Sequence, residues 1–327
     1  MSVYSVGIDI SKAKFDAALY REGEYDDATF SNNRDGYRRL AKWLKKRRAK
    51  QVHVCIEATG RYGEEVAEYL HERGYIVSVV NPARIKAYGE SQLKRNKNDQ
   101  QDARLIAHFC ATQEPAAWAP PSPAEKELRE LNRHLARLKA DRTREKNRQK
   151  SGVSSAYILQ TIHEHIAFLD TQIAQIEKQI QDSIDQDPQL RQQRELLTSI
   201  PGIGDTTAAS FMAEVPDVTR FNSAAQLAAH AGLTPRGHHS GSSVHKPGRL
   251  AKTGHSRLRT MFYLPALAAI RWNPIISAFA ERLTKRGKKR MTIVGAAMRK
   301  LLHLVYGVLK HGQPFDANYL DNVQVTA

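Results

Sequence analysis

Four carboxylates and one serine-rich loop carry the chemistry available to this sequence. Asp9 closes the apolar run Val3-Tyr4-Ser5-Val6-Gly7-Ile8, and Glu57 closes Gln51-Val52-His53-Val54-Cys55-Ile56. Asp99 and Asp102, within Lys97-Asn98-Asp99-Gln100-Gln101-Asp102-Ala103-Arg104, are three apart at a helix start and share one helix face. Four such acids repel one another if gathered without cations. Hard divalent ions with oxygen ligands resolve that repulsion, and Mg²⁺ takes few carboxylates plus phosphate oxygens of a substrate. Two ions about 3.5–4 Å apart clamp both the attacking and the leaving oxygen of a phosphodiester. Singly, each acid also reads as a helix cap or a surface charge. Asp9 resists that reading best, because it follows an apolar strand where a charge without a task is costly. Asp16 and Glu64 are rival ligands, but neither ends an apolar strand.

The second feature is the segment from Ala231 to His255, AGLTPRGHHSGSSVHKPGRLAKTGH, too polar for a core and long for a connector. Its centre, Ser240-Gly241-Ser242-Ser243, lies among Arg236, His238, His239, His245, Lys246 and Arg249. A serine hydroxyl is a poor nucleophile until its proton is taken, and a five-coordinate phosphate needs cationic stabilisation. Nearby Arg, Lys or His and carboxylate-bound metals supply both. On the residues alone the segment reads first as a flexible loop, with catalysis the lesser reading. His238, His239, His245 and His255 lack a zinc-ligand spacing and have no cysteine beside them, which leaves phosphate contact or solvent exposure.

The elements that must position these groups fall into three expected parts. Residues 1–120 alternate strands and helices: three meandering strands end at Phe30, Asn33 caps a basic helix, and further strands run from Gln51 and from Tyr75 to Val80. With strand order 3-2-1-4-5, Asp9 and Glu57 share one edge of the sheet, as in a ribonuclease-H-like metal nuclease. The stretch after Asn81-Pro82 reads as irregular until a helix over 99–112. Residues 121–187 read as a coiled-coil hairpin opened by a Ser122/Glu125 capping box. Its seams are Ala124, Leu128, Leu131, Leu135 and Leu138, then Ile158 to Ile184. Its other face carries Arg133, Arg137, Arg142, Arg144, Lys146 and Arg148, either solvated or on nucleic acid. Residues 188–327 are mostly helical. There Pro201-Gly202-Ile203-Gly204, with Asp205 as a cap, matches a helix-hairpin-helix, in which Gly202 and Gly204 admit a phosphate to backbone N–H groups. A packed glycine turn is the alternative. Lys285-Arg286-Gly287-Lys288-Lys289-Arg290 reads as a phosphate clamp or a solvated turn.

Composition narrows the partner. Fifty Lys and Arg against 34 Asp and Glu leave a net charge of +16 over 327 residues, which favours a polyanion. Two cysteines exclude a disulfide scaffold and a four-cysteine zinc site. No secretory signal is evident. The most apolar late stretch, Met291 to Leu309, is interrupted by Arg299-Lys300, too soon for a membrane span. A cytoplasmic, nucleoid-associated protein without a membrane partner is the expectation.

Gly7-Ile8-Asp9-Ile10-Ser11-Lys12, Glu57-Ala58-Thr59-Gly60, Lys97-Asn98-Asp99-Gln100-Gln101-Asp102-Ala103 and Ser240-Gly241 resemble the DEDD transposases of the IS110 insertion-sequence family, to which Piv-type DNA invertases are related. The likeness covers nearly the whole chain. It implies a RuvC-like (RNase H fold) catalytic domain, a coiled coil and a helical transposase domain. It also implies a metal-binding tetrad of Asp9, Glu57, Asp99 and Asp102 holding two Mg²⁺, and a nucleophilic serine in the late loop. Ser240 fits the pattern best, with Ser242 and Ser243 as fallbacks. The implied partners are double-stranded donor and target DNA, a noncoding bridge RNA as guide, and further copies of the chain as a dimer or tetramer, with an active site shared between subunits. The expected activity is DNA strand cutting and rejoining through a covalent serine–DNA intermediate. The rivals are a junction endonuclease that uses water and a non-catalytic nucleic-acid-binding protein.

Overall fold

The first thirty residues fold as a meander because each tight turn is chemically marked. β1 (Tyr4–Ile10), β2 (Lys14–Arg21) and β3 (Glu24–Ser31) pair antiparallel in sequence order. Between β2 and β3, Glu22 and Gly23 both take positive φ, 50° and 96°, as a two-residue primed hairpin turn requires. The computed structural model describes residues 4–47, 51–58, 60–92, 99–240, 244–251 and 253–318, with the backbone alone for Arg61, Asp99, 236–240 and 244–249. The chain divides into two units, 1–120 and 121–327.

In the first unit, α1 (Arg34–Lys46) starts at Asn33, whose side chain accepts from the Gly36 N–H and satisfies an otherwise orphan donor. β4 (Val52–Glu57) then pairs parallel to β1, and β5 (Ile76–Val80) pairs parallel to β4, with α2 (Glu64–His71) between them. The sheet order is β3-β2-β1-β4-β5, the order expected from the strand pattern. The stretch after Asn81, read from sequence as irregular, is helical: α3 (Pro82–Ser91) is capped by the Asn81 side chain on the Ala83 N–H and opens on Pro82. The last helix of this unit, α4 (Asp99–Gln113), lies on the sheet. One face of β1, Val6, Ile8 and Ile10, packs with Leu40 and Leu44 of α1 and Val66 and Leu70 of α2. The other face, Ser5, Gly7 and Asp9 by strand alternation, is turned toward α4.

In the second unit, α5 (Pro123–Gln149) opens with the full Ser122/Glu125 capping box, and α6 (Ala156–Gln186) returns after a break at Ser151-Gly152. Leu128, Leu135, Ile173, Ile180 and Ile184 of this pair are buried in the same core as the later helices. Those are α7 (Pro188–Thr198), α8 (Asp205–Glu214), α9 (Ala224–His230), α10 (Ser256–Met261), α11 (Tyr263–Trp272), α12 (Pro274–Lys285) and α13 (Arg290–His311). Asp205 is the first residue of α8 rather than its cap; Gly204 takes the cap position and makes no side-chain bond there. The segment read as a loop over 231–255 instead holds an antiparallel hairpin, β6 (Pro235–Ser240) with β7 (Val244–Leu250). α13 is long and apolar enough to cross a membrane by length and composition, yet Val294, Ala297, Met298, Leu301, Leu302 and Val305 all pack in the core.

Gly7 is the tightest point of the first unit. A Cβ there would overlap the Ala103 carbonyl oxygen and the Ala107 amide nitrogen of α4, and neither backbone atom can give way alone. Gly7→Ala is expected to lower the unfolding free energy of this unit by about 3 kcal/mol, the upper part of the usual cost of overpacking. Urea denaturation checks it, and a midpoint unchanged from wild type would show that α4 does not rest on β1.

Candidate active site

The backbone brings the positions of all four sequence-predicted acids toward one end of one face of the sheet. β1 and β4 pair parallel in the register Gly7↔Cys55 and Ile8↔Ile56, so Asp9 and Glu57 come next on neighbouring strands. Alternation puts both on the face covered by α4. α4 runs against the direction of β1. Its Ala103 lies on Gly7, whereas the Cys110 thiol farther along donates to the His53 carbonyl at 3.4 Å, level with Ser5. The N-terminal turn of α4, opened by Asp99 and carrying Asp102, therefore lies at the Asp9 and Glu57 end. Asp9, Glu57 and Asp102 are each half-buried.

Two further acids lie near this end: Asp16, weighed in the sequence as a rival ligand, and Asp27, whose partner Arg104 the spacing did not show. Asp16 pairs directly across from Asp9, is 5% exposed, and accepts from the Thr29 hydroxyl and from Lys14 Nζ at 3.3 Å. Arg104 forks onto Asp27 of β3, with Nε 3.0 and 2.9 Å from the two carboxylate oxygens, which fixes the rotation of α4 about its axis. The Asp27 hydrogen bond foremost, with Coulomb attraction behind it, raises the Arg104 pKa against the opposing effect of burial.

Oxygen-only donors on one face suit a hard divalent ion. Among the described residues, however, no three Asp, Glu, His or Cys side chains are gathered as a ligand set, and the side chain of Asp99 lies outside those residues. The structure thus gives these positions a shared end of the sheet and, among the described residues, no formed ligand cluster.

Ser240 ends β6, paired with Val244 of β7; Gly241, Ser242 and Ser243 lie outside the described residues, as do the side chains of Ser240, Arg236, His238, Lys246 and Arg249. What holds the foot of this hairpin is well defined. The Ala251 N–H donates to the Thr234 carbonyl at 2.9 Å, and the His255 N–H donates to the His230 carbonyl at 2.7 Å. Gly254 permits the second bond, because at φ 138° any Cβ would strike the same His230 oxygen. His255 Nδ1 accepts from the Leu258 N–H, so its proton sits on Nε2, 3.4 Å from Glu214. Glu214 also takes Arg133 at 3.1 Å and Arg257 at 3.4 Å, with only 7% of its side chain exposed. Burial alone would raise its pKa. The His255 and Arg133 hydrogen bonds and charges outweigh that and hold it down at about 2.

The basic features divide by their surroundings. Gly202, at φ 105°, packs against Ala269 of α11, where a Cβ would meet the Ala269 Cβ at 2.8 Å, so packing explains it. Gly204 has open space above it. On α5, Arg133, Arg142, Arg144 and Arg148 all pair with acids of the chain itself. Lys285, Arg286, Lys288, Lys289 and Arg290 are exposed around Gly287.

The chain is similar to transposases and to pilin gene-inverting proteins. Residues 6–158 match the DEDD transposase family of IS110 elements, and residues 194–281 match the IS116/IS110/IS902 transposase family. The chain is 35% identical over 319 residues to the pilin gene-inverting protein of Moraxella bovis, covering 97% of this chain and 98% of that one. The Moraxella lacunata protein of the same name matches equally. A transposase of insertion element IS1111A from Coxiella burnetii is 26% identical over 67% of this chain and 66% of its own length.

Because the Glu214 pKa is depressed from its ordinary 4.5, its contribution to stability is present above that value and is lost as pH falls toward about 2. Wild type is expected to lose thermal stability in the second unit across that window, and Glu214→Gln to lack this part of the slope. Equal slopes for the two proteins would remove the buried carboxylate from the account.

Proposed function

Because this chain belongs to the IS110 transposase family, a family of DNA-rearranging enzymes, we propose that it cuts and rejoins DNA strands with a carboxylate-held metal centre and a serine nucleophile. The observation that supports this most is the seating of the N-terminal turn of α4 against the strand that bears Asp9, beside the strand that bears Glu57. In a RuvC-like first unit, Asp9, Glu57, Asp99 and Asp102 would hold two Mg²⁺ ions. When bound, the ions supply Lewis-acid stabilisation of charge on the phosphate and on the leaving oxygen.

The protein's own groups do the rest. The Ser240 hydroxyl gives its proton to a base, and its oxygen attacks the scissile phosphorus. The bond from phosphorus to the departing strand breaks, and that strand's oxygen takes up a proton. The serine–phosphate ester keeps the energy of the broken linkage, so a new strand oxygen can attack it and restore the serine. Arg236, His238, Lys246 and Arg249 flank the serine and steady the phosphate, while Gly204 and the turn at Lys285–Arg290 hold backbone phosphates farther along. Gly202 shapes the turn before Gly204. The guide in this reading is a bridge RNA, the substrates are double-stranded donor and target DNA, and copies of the chain associate through the α5–α6 hairpin to complete each site.

The test is a denaturing gel of the protein with labelled DNA, with and without RNA that copurifies with it. Wild type is expected to form a covalent adduct and Ser240→Ala none. Asp9→Ala and Asp102→Ala are expected to lose several kcal/mol of transition-state stabilisation, about a thousandfold in cleavage rate. Cleavage without any adduct would favour the water-using endonuclease. Full activity in Asp9→Ala would sink the tetrad.

A further inference from the structure

Between α11, α12 and α13 the second unit has a groove of about 1060 Å³ with an apolar floor that includes Leu267, Ile293 and Val294. Arg271, Lys285, Lys288 and Arg290 line it, against Glu281 as the one acid in the lining. One wall is Trp272, which is 70% exposed although it is the largest apolar side chain in the neighbourhood. An indole left in water beside four cations suits a partner with flat π-faces and a repeating negative charge. Single-stranded nucleic acid has both, because phosphates track the cations while a base stacks on the aromatic ring. A duplex keeps its bases stacked on one another and cannot offer one to a cavity without flipping it out. The volume is just above the range for sites that enclose small ligands, roughly 300–1,000 Å³, which suits a short run of nucleotides.

Resting on the reading that this chain opens and rejoins DNA, we propose that the groove holds an unpaired segment of the DNA substrate, with one base stacked on Trp272 and its phosphates against Arg271, Lys285, Lys288 and Arg290. The binding is tolerant of sequence, since every base has a face to stack.

The experiment measures the affinity of the full chain for a labelled oligothymidylate, for a duplex and for a ribo-oligonucleotide of equal length. Trp272→Ala is expected to weaken single-strand binding about tenfold, with Trp272→Phe largely restoring it and duplex affinity changing less than about twofold. Lys288→Ala is expected to weaken both and to lower the salt slope by about one. Equal oligothymidylate binding by wild type and Trp272→Ala would overturn the proposal. So would a Trp272-dependent preference for the ribo-oligonucleotide, which makes RNA the occupant. Loss of self-association in Trp272→Ala with oligonucleotide binding intact would make a second copy the occupant. The covalent adduct at Ser240 is read separately. An adduct without Trp272-dependent binding overturns the groove alone, and Trp272-dependent binding without an adduct overturns the recombinase reading alone.

Discussion

A helix can lie directly on a strand only where the strand offers no side chain, and in this protein that place is Gly7. Its missing Cβ lets the backbone of α4 at Ala103 and Ala107 settle onto β1. The surrounding residues keep the approach open: Ala18, paired across from Gly7, is buried with Ala103 and Ala107 in one small cluster. Asp102 is one residue before Ala103, and Asp9 is two after Gly7. The distance between helix and strand therefore decides whether carboxylates from both can serve one site. A methyl group at Gly7 changes that distance directly, and Arg104 on Asp27 controls the remaining freedom, the turn of α4 about its own axis.

The second unit solves a different problem, which is to hold the foot of a polar hairpin. β6 and β7 leave the core between Thr234 and Ala251, and a backbone hydrogen bond closes that exit. Glu214 fixes the chain that follows through His255. A carboxylate so little exposed is tolerable only because Arg133, Arg257 and His255 converge on it. Those three partners come from α5, from the start of α10 and from the cap before it. One buried acid thus ties the long helical hairpin to the base of the serine-bearing strands.

Much of the local structure was legible because its signals act over short stretches of chain. Asn33, the Ser122/Glu125 box and the Glu22-Gly23 turn each act within four residues, and the apolar strand runs fix the sheet order together with the short meander. The helix at Pro82–Ser91 escaped notice because its basic surface hides a weak apolar stripe, of which Ile85 alone is buried. The hairpin at Pro235–Leu250 escaped because PRGHHS and VHKPGRL lack the apolar alternation that marks a strand. At the site, the ends of β1 and β4 could be read from the strands themselves. Arg104 on Asp27 could not, since 77 residues separate them. Nor could Glu214, whose partners lie 81, 41 and 43 residues away. Gly7 could have been read: a glycine inside an apolar strand signals a close backbone approach.

Net charge pointed to a polyanion, but it did not say where, and the ion pairs supply that distinction. The arginines of α5 look in sequence like the richest basic face. Arg133, Arg142, Arg144 and Arg148 are nonetheless engaged by Glu214, Asp170, Asp141 and Glu145, which cancels much of their field. Around Gly287 the chain places five exposed cations within six residues and sets an open tryptophan near them. At these four arginines of α5 an incoming phosphate competes with an existing carboxylate, whereas among the described residues the cations of the α12–α13 turn form no ion pair and a phosphate there displaces small ions. That difference, more than the total of +16, decides which surface nucleic acid should choose first.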